Sequence, residues 1–249
     1  MAPLIDVREL TKIYQLGELK VNALGGVTLT IERGSFVAVM GQSGSGKSTL
    51  LNLLGCLDTP TFGRYLLDGT PVEGLDRDQL AEIRNQKIGF VFQNFNLLPR
   101  MSAMENVELP LLYTVSPTSN VNEKAKRALA SVGLEGREYN LPTQLSGGQQ
   151  QRVAIARALI NNPEIILADE PTGQLDSRTG NEIMDVFKRL NQEQGITIVV
   201  VTHSDEVAKY ANRVITFCDG VVVSDEEISR STVSGHERIE HGEQVGVIS

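Results

Sequence analysis

Most of what this chain can fold into is decided by one run, Gly41-Gln42-Ser43-Gly44-Ser45-Gly46-Lys47-Ser48, followed by Thr49. It lies between an apolar stretch, Phe36 to Met40, and an apolar helical one, Thr49 to Leu57. A strand that passes through a glycine-rich loop into a helix brings several backbone N–H groups onto one phosphate at the helix N-terminus. The three glycines permit the tight turn. Lys47 brings a positive charge to the β- and γ-phosphates, and Ser48 presents a hydroxyl to Mg²⁺. Alone, the run specifies a nucleotide phosphate and leaves kinases, GTPases and ATPases open.

The rest of the chain supplies the setting. Short apolar runs at Phe36 to Met40, Ile88 to Phe92, Ile165 to Ala168 and Thr197 to Val201 alternate with helical stretches, as expected for an α/β fold with a largely parallel sheet covered on both faces. Leu4 to Tyr14 and Val21 to Ile31 alternate in polarity and predict an antiparallel β layer at the start. Ile183, Met184, Val186, Phe187 and Leu190 recur at helical spacing and predict a helix over Ser177 to Glu193. Residues from about 94 to 150 read as mainly helical and interrupt the strand rhythm, which makes them an inserted helical subdomain. One domain is expected over residues 1–225, with a polar, loose tail over 226–249.

A second phosphate-facing run, Leu145-Ser146-Gly147-Gly148-Gln149, opens the helical stretch Gln150 to Ile160. One ATP has one terminal phosphate, already covered on one side by the first loop. A second cradle about a hundred residues on makes sense if it closes over an ATP held by another copy. Here the sequence resembles the ABC ATPases, whose signature Leu145 to Gln149 matches letter for letter. The likeness runs over roughly Leu4 to Ser224 in the family's order, and it implies a P-loop NTPase (RecA-like) core. A third motif, Ile165-Ile166-Leu167-Ala168-Asp169-Glu170, carries two carboxylates to the C-terminal end of a strand, where parallel sheets bind ligands. Asp169 is read as a Mg²⁺ ligand through water and Glu170 as the general base for the attacking water.

Further roles are implied by the resemblance. His203 would contact the γ-phosphate and orient water. Gln93 would reach Mg²⁺ and report the γ-phosphate to the helical part. Tyr14 would stack on adenine, for which a flat ring is suited. Ser146, Gly147, Gly148 and Gln149 would hold the ATP of the opposite subunit in a head-to-tail homodimer. Metal contacts fall to Ser48, Gln93 and Asp169. Gln174, in Gly173-Gln174-Leu175-Asp176, is bulkier than the small residue or asparagine usual there, in a loop that lies across the family's dimer seam. Ser204 stands where an aspartate is common.

A net charge of −8 argues against nucleic acid as a partner. No apolar run approaches the ~20 residues that cross a bilayer. Cys56 and Cys218 are expected as reduced core residues, and the N-terminus does not read as a secretory signal, which together suggest a cytoplasmic protein. Asn106 to Leu112 and Leu175 to Gly180 look like the group holding macrolide exporters, lipoprotein-releasing systems and the cell-division ABC complex. The implied partner is a separate transmembrane permease, with a periplasmic adaptor as a further component, and a peripheral place on the inner face of the membrane. Export or lipid and lipoprotein extraction is the expected work; an ATP-gated mechanical clamp and an importer ATPase are the alternatives. Part of the segment Asn94 to Met104, rich in the apolar Phe95, Leu97, Leu98 and Met101, is expected to line a groove for a permease helix, while some of these side chains fill the core of the helical subdomain.

Overall fold

The computed structural model describes residues 2–114 and 119–228. Strands β1 (Ile5–Leu16) and β2 (Leu19–Ile31) pair antiparallel from Ile5↔Ile31 to Leu16↔Leu19. Next come β3 (Phe36–Gly41) and helix α1 (Lys47–Leu54), then β4 (Phe62–Leu67) and the short β5 (Thr70–Pro71). The first sheet has the order β2-β1-β4-β5, the antiparallel layer foreseen at the start.

Helix α2 (Arg77–Lys87) leads into β6 (Ile88–Phe92). Its start is set by a capping box: the Asp76 side chain accepts from the Gln79 N–H, and Gln79 Oε1 accepts from the Asp76 N–H. Helices α3 (Ala103–Glu108), α4 (Val121–Ser131) and α5 (Gly147–Leu159) follow and pack on one another, with a 3-10 turn at Leu109–Tyr113 between the first two. Then come β7 (Ile165–Asp169), α6 (Ser177–Gln194), β8 (Thr197–Val201), α7 (Asp205–Ala208), β9 (Arg213–Cys218) and β10 (Val221–Glu227). Helix α6 starts where Asp176 accepts from the Thr179 N–H and stops at Gly195, which is left-handed at φ 68°. Its buried face is Ile183, Met184, Val186, Phe187 and Leu190, the stripe read from spacing.

The second sheet has the order β10-β9-β3-β8-β7-β6, parallel except for the β9–β10 hairpin. Its strands alternate between two cores. Ala38, Ile166, Ala168, Ile198 and Val200 face the core shared with α3–α6. Val37, Val39, Ile165, Leu167, Val199 and Val201 face the core shared with α1 and the antiparallel sheet. Both faces are therefore dry, which is why these strands read as unbroken apolar runs.

Two expectations need correction. Cys56 is buried, but Cys218 is exposed: it ends β9, where the strand turns into Asp219-Gly220 and leaves the core. The sequence also turns polar beyond Ser224, yet β10 continues to Glu227, because an edge strand with a wet face needs no apolar run. Arg213 binds Asp225 there through two nitrogens at 2.7 and 2.6 Å. Residues 229–249, the remainder of the expected tail, lie outside the described residues.

Candidate functional site

Strand register assembles the site. Phe92 pairs with Asp169, and Asp169 with Val201, so β6, β7 and β8 end level. The residues that follow, Gln93, Glu170, and Thr202 with His203, therefore stand side by side at one sheet edge. Val39 pairs with Val201 and Gly41 with Phe217, which brings the loop 41–48 to the same edge.

The loop's glycines are required by what surrounds them. Gly41 has φ 147°, and a Cβ on it would lie 2.3 Å from the Phe217 carbonyl oxygen and 2.7 Å from Ser45 Oγ. Gly46, at φ 101°, would place a Cβ 2.7 Å from the Ala23 carbonyl oxygen. Neither position admits a side chain. Lys47 starts α1 and is 8% exposed; its ammonium donates to the carbonyls of Gly41 at 2.8 Å and Gln42 at 2.7 Å. The lysine is thus held inside the loop it serves, at the N-terminus of α1, where the helix dipole favours anions.

Glu170 adopts φ 44°, a left-handed conformation that costs a non-glycine residue on the order of 1–3 kcal/mol. Its N–H donates to the Val201 carbonyl at 2.9 Å, and its carbonyl accepts from the Gly173 N–H at 3.0 Å. The carboxylate accepts from Thr202 Oγ1 at 3.1 Å and lies 2.6 Å from His203 Nδ1. With a carboxylate as acceptor, Nδ1 carries the proton and Nε2 is left free. The Glu170 side chain is 18% exposed and that of His203 75% exposed, so the pair runs from the sheet edge into solvent.

Beside it, Asp169 has its carboxyl pushed above the ordinary value, first by burial and then by the negative charge of Glu170, with Lys47 pulling the other way. A partly buried carboxylate with a second one beside it is a place for a cation. Among the described residues no three His, Cys, Asp or Glu side chains converge to hold a metal alone. A site of that kind suits an ion that brings phosphate oxygens and water as most of its ligands, as Mg²⁺ does.

Tyr14 is half-buried. Its hydroxyl donates to Asp58 Oδ2 at 2.9 Å and also meets the side chain of Thr49, and Lys12 Nζ stands 4.9 Å from its ring centre. Burial and Asp58 raise its pKa. Asp58 is lowered although burial alone would raise it, because Lys12 at 2.6 Å and Tyr14 both donate to it. The ring is therefore fixed beside the first turn of α1.

At the second cradle Ser146 caps α5. Its Oγ accepts from the Gln149 N–H at 3.3 Å, and Gln149 Oε1 accepts from the Ser146 N–H at 2.9 Å. Helix α5 packs on β6, α3, α4 and α6, whereas α1 packs on β2, β3, β7 and β8. The two cradles thus belong to opposite faces of the parallel sheet.

Four supporting residues were not singled out from sequence. Thr202, 1% exposed, orients Glu170; Asp58 fixes Tyr14; Gln151 donates to the Pro171 carbonyl at 2.6 Å beneath the loop after Glu170. Arg157 on α5 donates to the carbonyls of Phe95 at 2.9 Å and Asn96 at 2.6 Å. Thr202 beside His203 was the one visible signal; the others act on residues 20 to 62 positions away.

A groove of about 860 Å³ opens between α2, the turn Leu109–Tyr113, β6 and the end of α5. Asp78, Glu82, Arg84, Tyr113 and Arg157 line it, and of the segment 94–104 only Asn96 does. Of the apolar residues of that segment, Leu97 packs into the helical core, as expected for some of them, and the rest of the groove wall comes largely from α2, β6 and the 3-10 turn.

The family model described as ABC transporter matches residues 24–173. The macrolide export ATP-binding/permease protein MacB of Syntrophobacter fumaroxidans is 57% identical over 221 residues, 88% of this chain and 31% of that protein. This chain spans about a third of the length of the macrolide-export relatives it matches. The uncharacterized ABC transporter ATP-binding protein MJ0796 of Methanocaldococcus jannaschii is 52% identical over 229 residues, 90% of this chain and 97% of that one. Two solved structures superpose with TM-scores of 0.83 over 90% of this chain and 99% of theirs. One, 52% identical, is a dimeric structure of MJ0796; the other, 51% identical, is a dimeric post-hydrolysis state bound to ADP and Pi.

Proposed function

The chain belongs to the ABC transporter family as one of its ATPase cassettes, and from that premise we propose that it clamps Mg-ATP between two copies of itself, hydrolyses it, and so drives a membrane permease. The observation that carries this reading is Glu170, held in a left-handed conformation at the sheet edge with Thr202 and His203 on its carboxylate. That edge also bears the phosphate loop.

Each side chain has its part. The N–H groups of residues 41–49 and the Lys47 ammonium take the β- and γ-phosphates, releasing Lys47 from the Gly41 and Gln42 carbonyls. Tyr14, fixed by Asp58, covers adenine. Ser48, Gln93 and Asp169 hold Mg²⁺, which when bound neutralises phosphate charge. Glu170 accepts the proton of the attacking water, and His203, oriented by Glu170, contacts the γ-phosphate. Ser146 to Gln149 of the other copy close the site from the opposite side. Two identical seams then form under a twofold axis.

A permease as the driven component is supported by relatives named as ATP-binding/permease proteins. Among the described residues no helix is long and apolar enough to cross a membrane. The groove beside α2 receives a cytoplasmic helix of that permease, with Tyr113, 76% exposed, at its lip. The cassette sits on the inner membrane face, and export is the direction of work, in keeping with relatives named for macrolide export.

Glu170→Gln tests the reading. The change keeps shape and removes the proton acceptor, which is worth on the order of 10²–10⁴ in rate. Light scattering with Mg-ATP should report a persistent dimer of this variant and a mainly monomeric chain without nucleotide. A variant that stays monomeric at micromolar protein and saturating ATP would refute the proposal.

A further inference from the structure

The loop 173–175 touches two other loops at once. The Gly173 N–H donates to the Glu170 carbonyl at 3.0 Å, so this loop moves with the backbone of the carboxylate. A Cβ on Gly173 would stand 2.8 Å from Gln93 Nε2, so loop and glutamine are already in contact. Gln174 donates its side-chain amide to Asn94 Oδ1. Leu175 lies against the start of α5, where a Cβ on Gly147 would meet its Cδ2 at 3.2 Å.

The segment that Gln174 grips is strained. Phe95 and Asn96, the two residues after Asn94, have φ of 59° and 50°. Two successive non-glycine residues in the left-handed region persist only where neighbours hold them. Arg157 holds the carbonyl side, donating to Phe95 and Asn96. Gln174 holds the near end through Asn94. Asn96 and Arg157 also line the groove. A small side chain at position 174 would not reach Asn94.

We propose that Gln174 is a positioning residue: its amide ties the loop behind Glu170 to the strained segment 94–96, so that the carboxylate and the groove change together. The assignment rests on the reading of Glu170 as general base and of the groove as the permease seat. Both partners are exposed, so water competes and the contribution is that of one modest hydrogen bond.

The test is steady-state turnover of the full chain with Mg-ATP for Gln174→Ala, Asn94→Ala, the double variant, and the exchanged pair Asn94→Gln with Gln174→Asn. Exchange preserves the combined length and the amide–amide contact. Each single variant should lower kcat about two- to tenfold, with KM for ATP within about twofold of the parent. The double variant should be no slower than the slower single, because both remove the same contact. The exchanged pair should regain at least about half of parental kcat. Singles at parental kcat, effects that multiply in the double, a raised KM in place of a lowered kcat, or an exchanged pair as slow as the double variant would each overturn the latch. Absence of hydrolysis by the parent chain would instead overturn the functional reading, before any variant is compared.

Discussion

Glu170 and Lys47 are held in opposite ways, and their substitutions should fail in opposite ways. The carboxylate is fixed by a strained backbone and two side chains, so it is presented in one orientation. The ammonium is held by two loop carbonyls and, at 3.5 Å, by Ser45 Oγ, all neutral acceptors that, in the function proposed, give way to phosphate. Lys47→Ala removes a charge-assisted contact and should weaken ATP binding about 10- to 100-fold, measured by titration of a fluorescent nucleotide. His203→Ala leaves the loop intact and should keep affinity within about threefold while lowering kcat by on the order of 10². If both variants bound and hydrolysed ATP like the parent, the assignment of the site would fail. Both residues were readable from sequence because each lies within a few positions of an apolar strand that fixes its place. Thr202, Asp58 and Arg157 were not, since each acts on a residue that only the folded sheet brings near.

Among the elements, α2 is the least embedded long helix: Leu80 is the one residue it buries fully, and it forms a wall of the groove. Tyr113→Asp or Ala81→Glu should abolish co-purification with the permease while leaving nucleotide affinity of the isolated chain unchanged. Retained co-purification in both would remove the groove as the seat. Legibility followed periodicity here too. Helix α6 and the central strands were plain, because a helix with one dry face and strands with two carry strong patterns. Within the segment 94–104 the sequence left open which side chains line the groove and which fill the helical core as Leu97 does, because both kinds are apolar on one short stretch. The groove is lined mostly by apolar groups, Leu57, Phe90, Leu109 and Ile160 among them, but α2 adds Asp78, Glu82 and Arg84, and polar residues on a helix read as ordinary solvated surface. Strand β10 was cut short for a related reason: Asp225 belongs to it through Arg213, a partner 12 residues back.

Across the whole molecule, four charges tie the two sheets together. Lys87 at the end of α2 reaches Glu164 at 2.9 Å and also Asp68, and Arg33 pairs with both acids. Lys87 holds the Asp68 carboxyl below its ordinary 3.8, with Arg33 adding to the effect. Burial alone would raise Glu164, but Arg33 and Lys87 outweigh it and leave it below 4.5. Carboxylates lowered in this way stabilise the fold above their ordinary values and lose that contribution as pH falls through the folded ones. Lys87→Met should therefore cost about 1 kcal/mol at pH 7, a fall in Tm of about 2–4 °C for a chain of this size. Thermal melts should find that difference shrinking below pH 4 and vanishing further down. An equal deficit at pH 7 and pH 3 would exclude the network as its source.

The central strand β3 takes both its neighbours from late in the chain: Phe36 pairs with Ile198, and Gly41 with Phe217. The β1–β2 hairpin closes from near neighbours, but β3 must wait for some 160 further residues. At ribosomal rates of ~5–20 residues per second, that is on the order of ten seconds with an apolar strand unpaired. A chain halted after His203 would carry every nucleotide-facing motif and still lack the Phe217 carbonyl against which Gly41 is pressed. Birth order and completion order are thus reversed in this molecule: the loop that leaves the ribosome early is among the last parts to become a site.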